Sequence, residues 1–158
     1  MRNLFYILIF LLYSIASKAQ VIARNFALRK PLGINTQTFS YTGAIQQFVV
    51  PNRVTAIQVN AVGAKGGTGG GGQAGGAGAN ITSTINVTPG QILYIVVGGF
   101  PGQSAAAKYG FAGNGGVANS ATGFGGAGGG LSGVFTSSSP AVANALVIAG
   151  GGGGGSGT

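Results

Sequence analysis

Apolar and polar positions alternate with a period of two along much of this chain. In "VTAIQVNAVG" (54–63), Ile57, Val59 and Ala61 fall on one side and Gln58 and Asn60 on the other. "NITSTINVT" (80–88) repeats the pattern, with Ile81, Ser83, Ile85 and Val87 opposed to Thr82, Thr84, Asn86 and Thr88. That period marks a half-buried strand. "FSYTGAIQQFVVP" (39–51) is rich in aromatic and β-branched residues and stops at Pro51, so it too reads as β. "TPGQ" (88–91) predicts a type II turn with Pro89 and Gly90 at its centre. "ILYIVVGG" (92–99) follows as a buried strand, and "GVFTSS" (133–138) and "AVANALVIAGG" (141–151) supply two more. After the first twenty residues no segment carries a period of 3.6. Short strands separated by turn signals predict an all-β fold, an antiparallel β-sandwich.

Glycine interrupts this framework three times: at 63–79, more loosely at 98–130, and again from Gly150. Collagen requires glycine at every third residue and abundant proline. Here glycine comes in doublets and longer runs, and the first and third tracts contain no proline. A flexible linker mixes glycine with serine and joins domains. These tracts instead leave apolar strand ends such as "YIVVGG" and "LVIAGG". A polyglycine helix of the polyproline II type fits better. It has three residues per turn and no internal hydrogen bonds, so its N–H and C=O groups point outward. Several such helices can bond side by side where no side chain keeps them apart, with Cα–H···O contacts in addition. Glycine loses the most conformational entropy on ordering, so such an array must be cooperative.

The 158 residues make room for one ordinary domain. They include no Asp, Glu, His or Cys. Acid–base catalysis draws mainly on those residues, a Ser nucleophile needs a base beside it, and metal sites draw on the same set. The chain is therefore expected to have no catalytic residues, no metal site and no cofactor. The formal charge of +8 is not a nucleic-acid footprint. Arg2, Lys18, Arg24, Arg29 and Lys30 lie in the first thirty residues, leaving only Arg53, Lys65 and Lys108 scattered beyond. Neither Lys65 nor Lys108 is followed by Ser or Thr, so no phosphate-cradling loop motif is present. No acidic residue exists to hold a ribose, so glycine spacings of the dinucleotide type carry nothing.

"MRNLFYILIFLLYSIASKAQ" has a basic Arg2, an apolar stretch from Leu4 to Ile15, and Ser17 and Ala19 at the −3 and −1 positions before Gln20. This pattern predicts a secretory signal over 1–19. An apolar stretch of about a dozen residues is short for a span of ~20, so no membrane span is expected after cleavage. Residues 20–38 read as a basic N-terminal arm, either extended or a short first strand. Residues 39–158 form the glycine-rich domain. Without Cys it must hold by packing and hydrogen bonds.

The order "AIQVNAVGAKGGTGGGG", "ITSTINVTPGQILYIVVGG", "GNGG…GGAGGG", "ALVIAGGGGGGSG" resembles the glycine-rich extracellular domain family. That family includes the ligand-binding regions of anaplastic lymphoma kinase and leukocyte tyrosine kinase. The resemblance covers about residues 39–158. It implies a tumour-necrosis-factor-like β-sandwich carrying inserted polyglycine II helices. No kinase domain, transmembrane helix or Cys-rich module accompanies it here, so receptor activity does not carry over. The family pattern continues past the third tract, which implies a fragment or a shortened relative.

Two N-glycosylation acceptor motifs stand out, Asn80-Ile81-Thr82 and Asn86-Val87-Thr88, both with Asn on the polar face of their strand. The alternative is ordinary polar strand residues. Phe100, Tyr109, Phe111 and Phe124 lie inside the second glycine tract. They are candidates for a surface contact; the alternative is packing at the tract ends. Two functions suit an uncharged, exported, glycine-rich domain. One is a secreted or cell-surface module that binds an extracellular protein or glycan from a rigid scaffold, as in adhesion. The other is a structural extracellular or surface-layer protein that self-associates.

Overall fold

The computed structural model describes residues 35–102, 104, 110–116 and 123–157. The chain divides into two units, Met1–Gln37 and Thr38–Thr158. In the first, residues 35–37 are exposed and outside any strand. The signal segment 1–19 and most of the arm 20–38 lie outside the described residues. No helix among the described residues is long and apolar enough to cross a membrane.

The second unit is all-β. Its strands are β1 (Gln46–Val49), β2 (Ala56–Val62), β3 (Asn80–Asn86), β4 (Ile92–Val96), β5 (Ser132–Phe135) and β6 (Ala145–Ala149). They form a four-stranded sheet in the order β1-β4-β5-β6 and a two-stranded sheet of β2 and β3. Every pairing is antiparallel. The β2–β3 register sets Ile57 against Ile85 and Val59 against Ser83 on one face, and Gln58 against Thr84 and Asn60 against Thr82 on the other. The alternation seen in the sequence is thus the alternation of the ladder. Between β3 and β4, the Gln91 N–H donates to the Thr88 carbonyl (2.9 Å) and Gly90 has φ +80°, the left-handed position a type II turn requires.

Several strands are shorter than the pattern implied: β4 stops at Val96 and β5 at Phe135, and two others lose a whole stretch at their start to local bonds. Residues 39–45 do not join the sheet. Gly43 turns the chain with φ +75°. The Gln46 side chain donates to the Ser40 carbonyl at 2.8 Å and the Thr42 hydroxyl to the Ala44 carbonyl at 3.2 Å. Local side-chain bonds of this kind compete with a ladder. The Phe39 ring meets Phe48 edge-on, centroids 6.3 Å apart, so this stretch packs on the sheet without extending it. Residues 141–144 are likewise held locally, with a 3-10 turn at Val142–Asn144. The Asn144 side chain accepts from the Ala141 N–H (3.0 Å) and donates to the Ser139 carbonyl (2.9 Å), so β6 begins only at Ala145.

Side chains of both sheets meet in one apolar cluster: Val50, Ala61, Val87, Leu93, Val134, Val147 and Ala149, flanked by Phe48, Ile57, Val59, Ile85 and Ile95. Leu93 is wholly buried; removing such a side chain from water stabilises by about 1.5–3 kcal/mol. The other face of the four-stranded sheet buries Val96 and Phe135. Gly133 makes room there, since a Cβ would stand 2.9 Å from the Phe135 ring.

Candidate functional site

The glycine tracts are ordered by bonds between segments. Each sheet strand that runs into a tract delivers a segment to the same region, and partner numbers change in steps of three. Gly63, Gly66 and Gly69 donate to the carbonyls of Ala79, Gly76 and Gln73 at 2.8, 2.9 and 2.9 Å. Ala64, Gly67 and Gly70 donate to Gly130, Ala127 and Phe124 at 2.9, 2.7 and 2.8 Å. Gly152 and Gly155 donate to Ala64 and Gly67, and Gly76 and Ala79 donate to Gly153 and Gly150, all at 2.8 Å. Gly125, Gly128 and Leu131 donate to Gly116, Gly113 and Gly110 at 2.8, 2.9 and 2.7 Å. Gly126 and Gly129 donate to Gly155 and Gly152 at 2.8 Å. These residues belong to no strand or helix. A repeat of three with all bonds made outward is what an extended threefold helix provides.

The same period decides where side chains are allowed. A Cβ built on Gly63, Gly66 or Gly69 would run into the carbonyls of Gly150, Gly153 and Ser156. Gly75 and Gly78 stand equally close to Gly66 and Gly63, and Gly126 and Gly129 to Gly67 and Ala64. The residues between them carry side chains where these have room. Lys65 is exposed beside the 63–66–69 row, and Gln73, Ala74, Ala77 and Ala79 are exposed beside the 75–78 row. The chain reverses between segments 63–70 and 73–79 at Gly72, whose φ of +84° suits glycine.

Segment 150–157 forms an outer face. Its buried positions are Gly152 and Gly155, whereas Gly151, Gly153, Gly154, Ser156 and Gly157 are exposed. The backbone groups of Gly151 and Gly154 take part in none of the bonds between described segments. A Cβ on Gly150 or Gly153 would meet nothing within 4 Å, and the next residue in that row, Ser156, has a side chain.

Of the four candidate aromatics, two follow residues bonded to adjacent positions of one stretch. The Gly99 carbonyl accepts from Gly130 N–H (3.1 Å) and the Gly110 carbonyl from Leu131 N–H (2.7 Å). Phe100 and Phe111 therefore follow residues that flank the same short stretch, and both are more than half exposed, at 54% and 64%. Phe111 has φ +57°, a backbone state that costs a non-glycine residue about 1–3 kcal/mol. Phe124 is set apart: it is half-buried and lies at the opposite end of segment 123–131, where its carbonyl accepts from Gly70. Tyr109 lies outside the described residues. Asn80 and Asn86 are both exposed. The outward glycine row was not singled out in the sequence; its signal is Ser156 three residues after Gly153. No family model matches this chain, and comparison with curated proteins and with solved structures finds no match.

Proposed function

We propose that this chain is a secreted or cell-surface binding module that presents loops from a stiff glycine-rich scaffold, as in adhesion or protein recognition. In this reading the bonded glycine segments are polyglycine II helices. The two sheets are the halves of a tumour-necrosis-factor-like sandwich, as the resemblance to the glycine-rich extracellular domains of anaplastic lymphoma kinase and leukocyte tyrosine kinase implies. The period of three in the bonds between segments and the core shared by both sheets support that architecture. The observation that carries the function is Phe111, a large ring held exposed on a strained backbone, with a second exposed ring, Phe100, following a residue bonded to the same stretch, Gly130–Leu131. Packing alone gives no return for that strain, whereas aromatic anchors are frequent at binding surfaces. The ligand class is an extracellular protein or glycan, with no nucleic acid partner.

A Phe100→Ser/Phe111→Ser double variant tests this. It should keep the wild-type Tm and lose at least about tenfold in binding to cell surfaces or glycan arrays, the scale of a single interface anchor. Equal binding by the double variant, or no binding by the wild type, removes the reading.

A second reading, a structural protein that self-associates, is favoured by the outer glycine face. Gly151 and Gly154 leave backbone groups unbonded there, and Gly150 and Gly153 are glycine without steric need. An unpaired row of this kind invites another backbone, as an open sheet edge does. Sedimentation should then show mass rising with concentration for the wild type and a monomer for Gly153→Val. A wild type that stays monomeric at all concentrations removes it.

A further inference from the structure

We propose that Asn80 and Asn86 are N-glycosylated and that the outer face of the β2–β3 sheet is the sugar-bearing surface of the protein. The inference rests on the reading that the chain is exported through a secretory membrane system, and it makes that reading chemically specific. Both acceptor motifs, Asn80-Ile81-Thr82 and Asn86-Val87-Thr88, lie on or directly after one strand. Asn80, Thr82 and Asn86 alternate onto one face of β3, and Thr88 follows the strand. Asn80, Thr82, Asn86 and Thr88 are all exposed. The intervening Val87 is buried in the core. The middle of that face is polar, with Gln58 and Asn60 paired to Thr84 and Thr82, and Ala56 and Val62 pair with the two Asn at its ends.

Modification of this type happens on the extended chain before it folds, so the structure must tolerate what has been attached. An Asn with its amide turned inward would block folding once it carried sugar. Here the first sugars would project into solvent from both ends of β3. Six residue steps along β3 separate the two Asn by about 20 Å, wide enough for two branched sugars side by side. Asn80 also pairs across the ladder with Val62, which is 55% exposed. A sugar at Asn80 would lie over that apolar side chain and take it out of water.

The step balances without redox chemistry. The amide nitrogen of Asn attacks C1 of the reducing sugar of a lipid-pyrophosphate-linked oligosaccharide. The C1–O bond breaks as the C1–N bond forms. The lipid pyrophosphate leaves with the bonding electron pair, and one amide proton passes to a base of the transferase. The co-reactant is the lipid-linked sugar of a secretory membrane.

This chain offers an unusually clean readout. Amidase removal of an N-linked sugar leaves Asp in place of Asn, and the chain contains no other Asp or Glu. The full-length chain is expressed in a eukaryotic secretory host and recovered from the medium. Amidase treatment in heavy-oxygen water should leave labelled Asp at positions 80 and 86, and isoelectric focusing should show two unit steps towards acid. Thr82→Ala should remove the sugar from Asn80 alone and Thr88→Ala from Asn86 alone, with the double variant unmodified. Export with cleavage near Gln20 but unmodified Asn80 and Asn86 overturns the proposal and leaves the export reading standing. A chain retained in the cytosol with Met1 intact counts against export instead. Residues 20–158 behind a proven signal then decide the acceptor question: labelled Asp supports the sites, and its absence overturns them.

Discussion

Replacing Gly66 with Ala should destabilise the domain, and replacing Gly153 with Ala should stabilise it. Both substitutions add one methyl group to a glycine in a glycine tract, and neither glycine has a positive φ. At Gly66 the new Cβ would strike the Gly153 carbonyl, with the Gly152 oxygen 2.9 Å away. Backbone cannot swing aside as a side chain can, so segments 63–70 and 150–157 must separate. Two bonds join those segments and are at risk, Gly152 N–H to the Ala64 carbonyl and Gly155 N–H to the Gly67 carbonyl. Overpacking costs about 1–3 kcal/mol and one or two lost bonds about 1 kcal/mol each, offset by about 0.4–1 kcal/mol from a stiffer unfolded chain. The net is a loss of roughly 2–4 kcal/mol, a fall in Tm on the order of 10 °C for a domain of this size. At Gly153 nothing lies within 4 Å, so only the unfolded-state term acts and stability rises by about 0.4–1 kcal/mol. Urea unfolding followed by far-UV circular dichroism reads both. Equal midpoints for the two variants would refute the packed bundle and leave a solvated tether.

Stability should be nearly flat between about pH 4.5 and 7, because no Asp, Glu, His or Cys is present to take up protons differently in the folded and unfolded chain; a sharp transition in urea midpoint within that range contradicts this. Ser132→Ala removes the hydroxyl that accepts the Gly98 N–H at 3.0 Å in a partly buried setting. It should lower the unfolding free energy by about 1–3 kcal/mol, the cost of an unsatisfied buried donor, as measured by denaturant titration. Leu93→Ala, at a wholly buried position, should cost about 2–5 kcal/mol. N-terminal sequencing of exported protein should begin within a residue or two of Gln20; an intact Met1 would rule out cleavage.

The strands were legible wherever burial on one side alternates with solvent on the other. That held for β2 and β3 almost residue by residue, and the turn at Pro89-Gly90 was legible from its chemistry. It failed at 39–45 and 141–144, where Gln46, Thr42 and Asn144 satisfy backbone groups locally and apolar content misleads. The bonding between glycine tracts was half legible. That the glycine segments bond to one another followed from what glycine permits, but the phase of the bonding did not. Two of the three rows of an inner segment face neighbouring backbones, so doublets such as Gly66-Gly67 conceal a repeat of three. Lys65, Thr68, Gly153 and Ser156 carry that phase, yet it becomes readable only once the facing segments are known. The residues before Phe100 and Phe111 could not be related from the sequence, because Gly99 and Gly110 are both bonded by the stretch Gly130–Leu131 from later in the chain.

Segment 150–157 also bears on the timing of biosynthesis. Gly152 and Gly155 donate to Ala64 and Gly67 and accept from Gly129 and Gly126, while Gly153 accepts from Gly76. Every one of these partners is made earlier, some by more than half the domain. Topology dominated by such distant pairings folds slowly, in milliseconds to seconds, and leaves surfaces uncovered while it waits. A nascent chain stalled at Ala149 would have all six strands available and would still leave uncovered the side of segment 63–70 where Gly63, Gly66 and Gly69 lie against residues 150–156. That side is covered only after segment 150–157 has left the ribosome, so these bonds form late relative to the synthesis of segments 63–79 and 124–130.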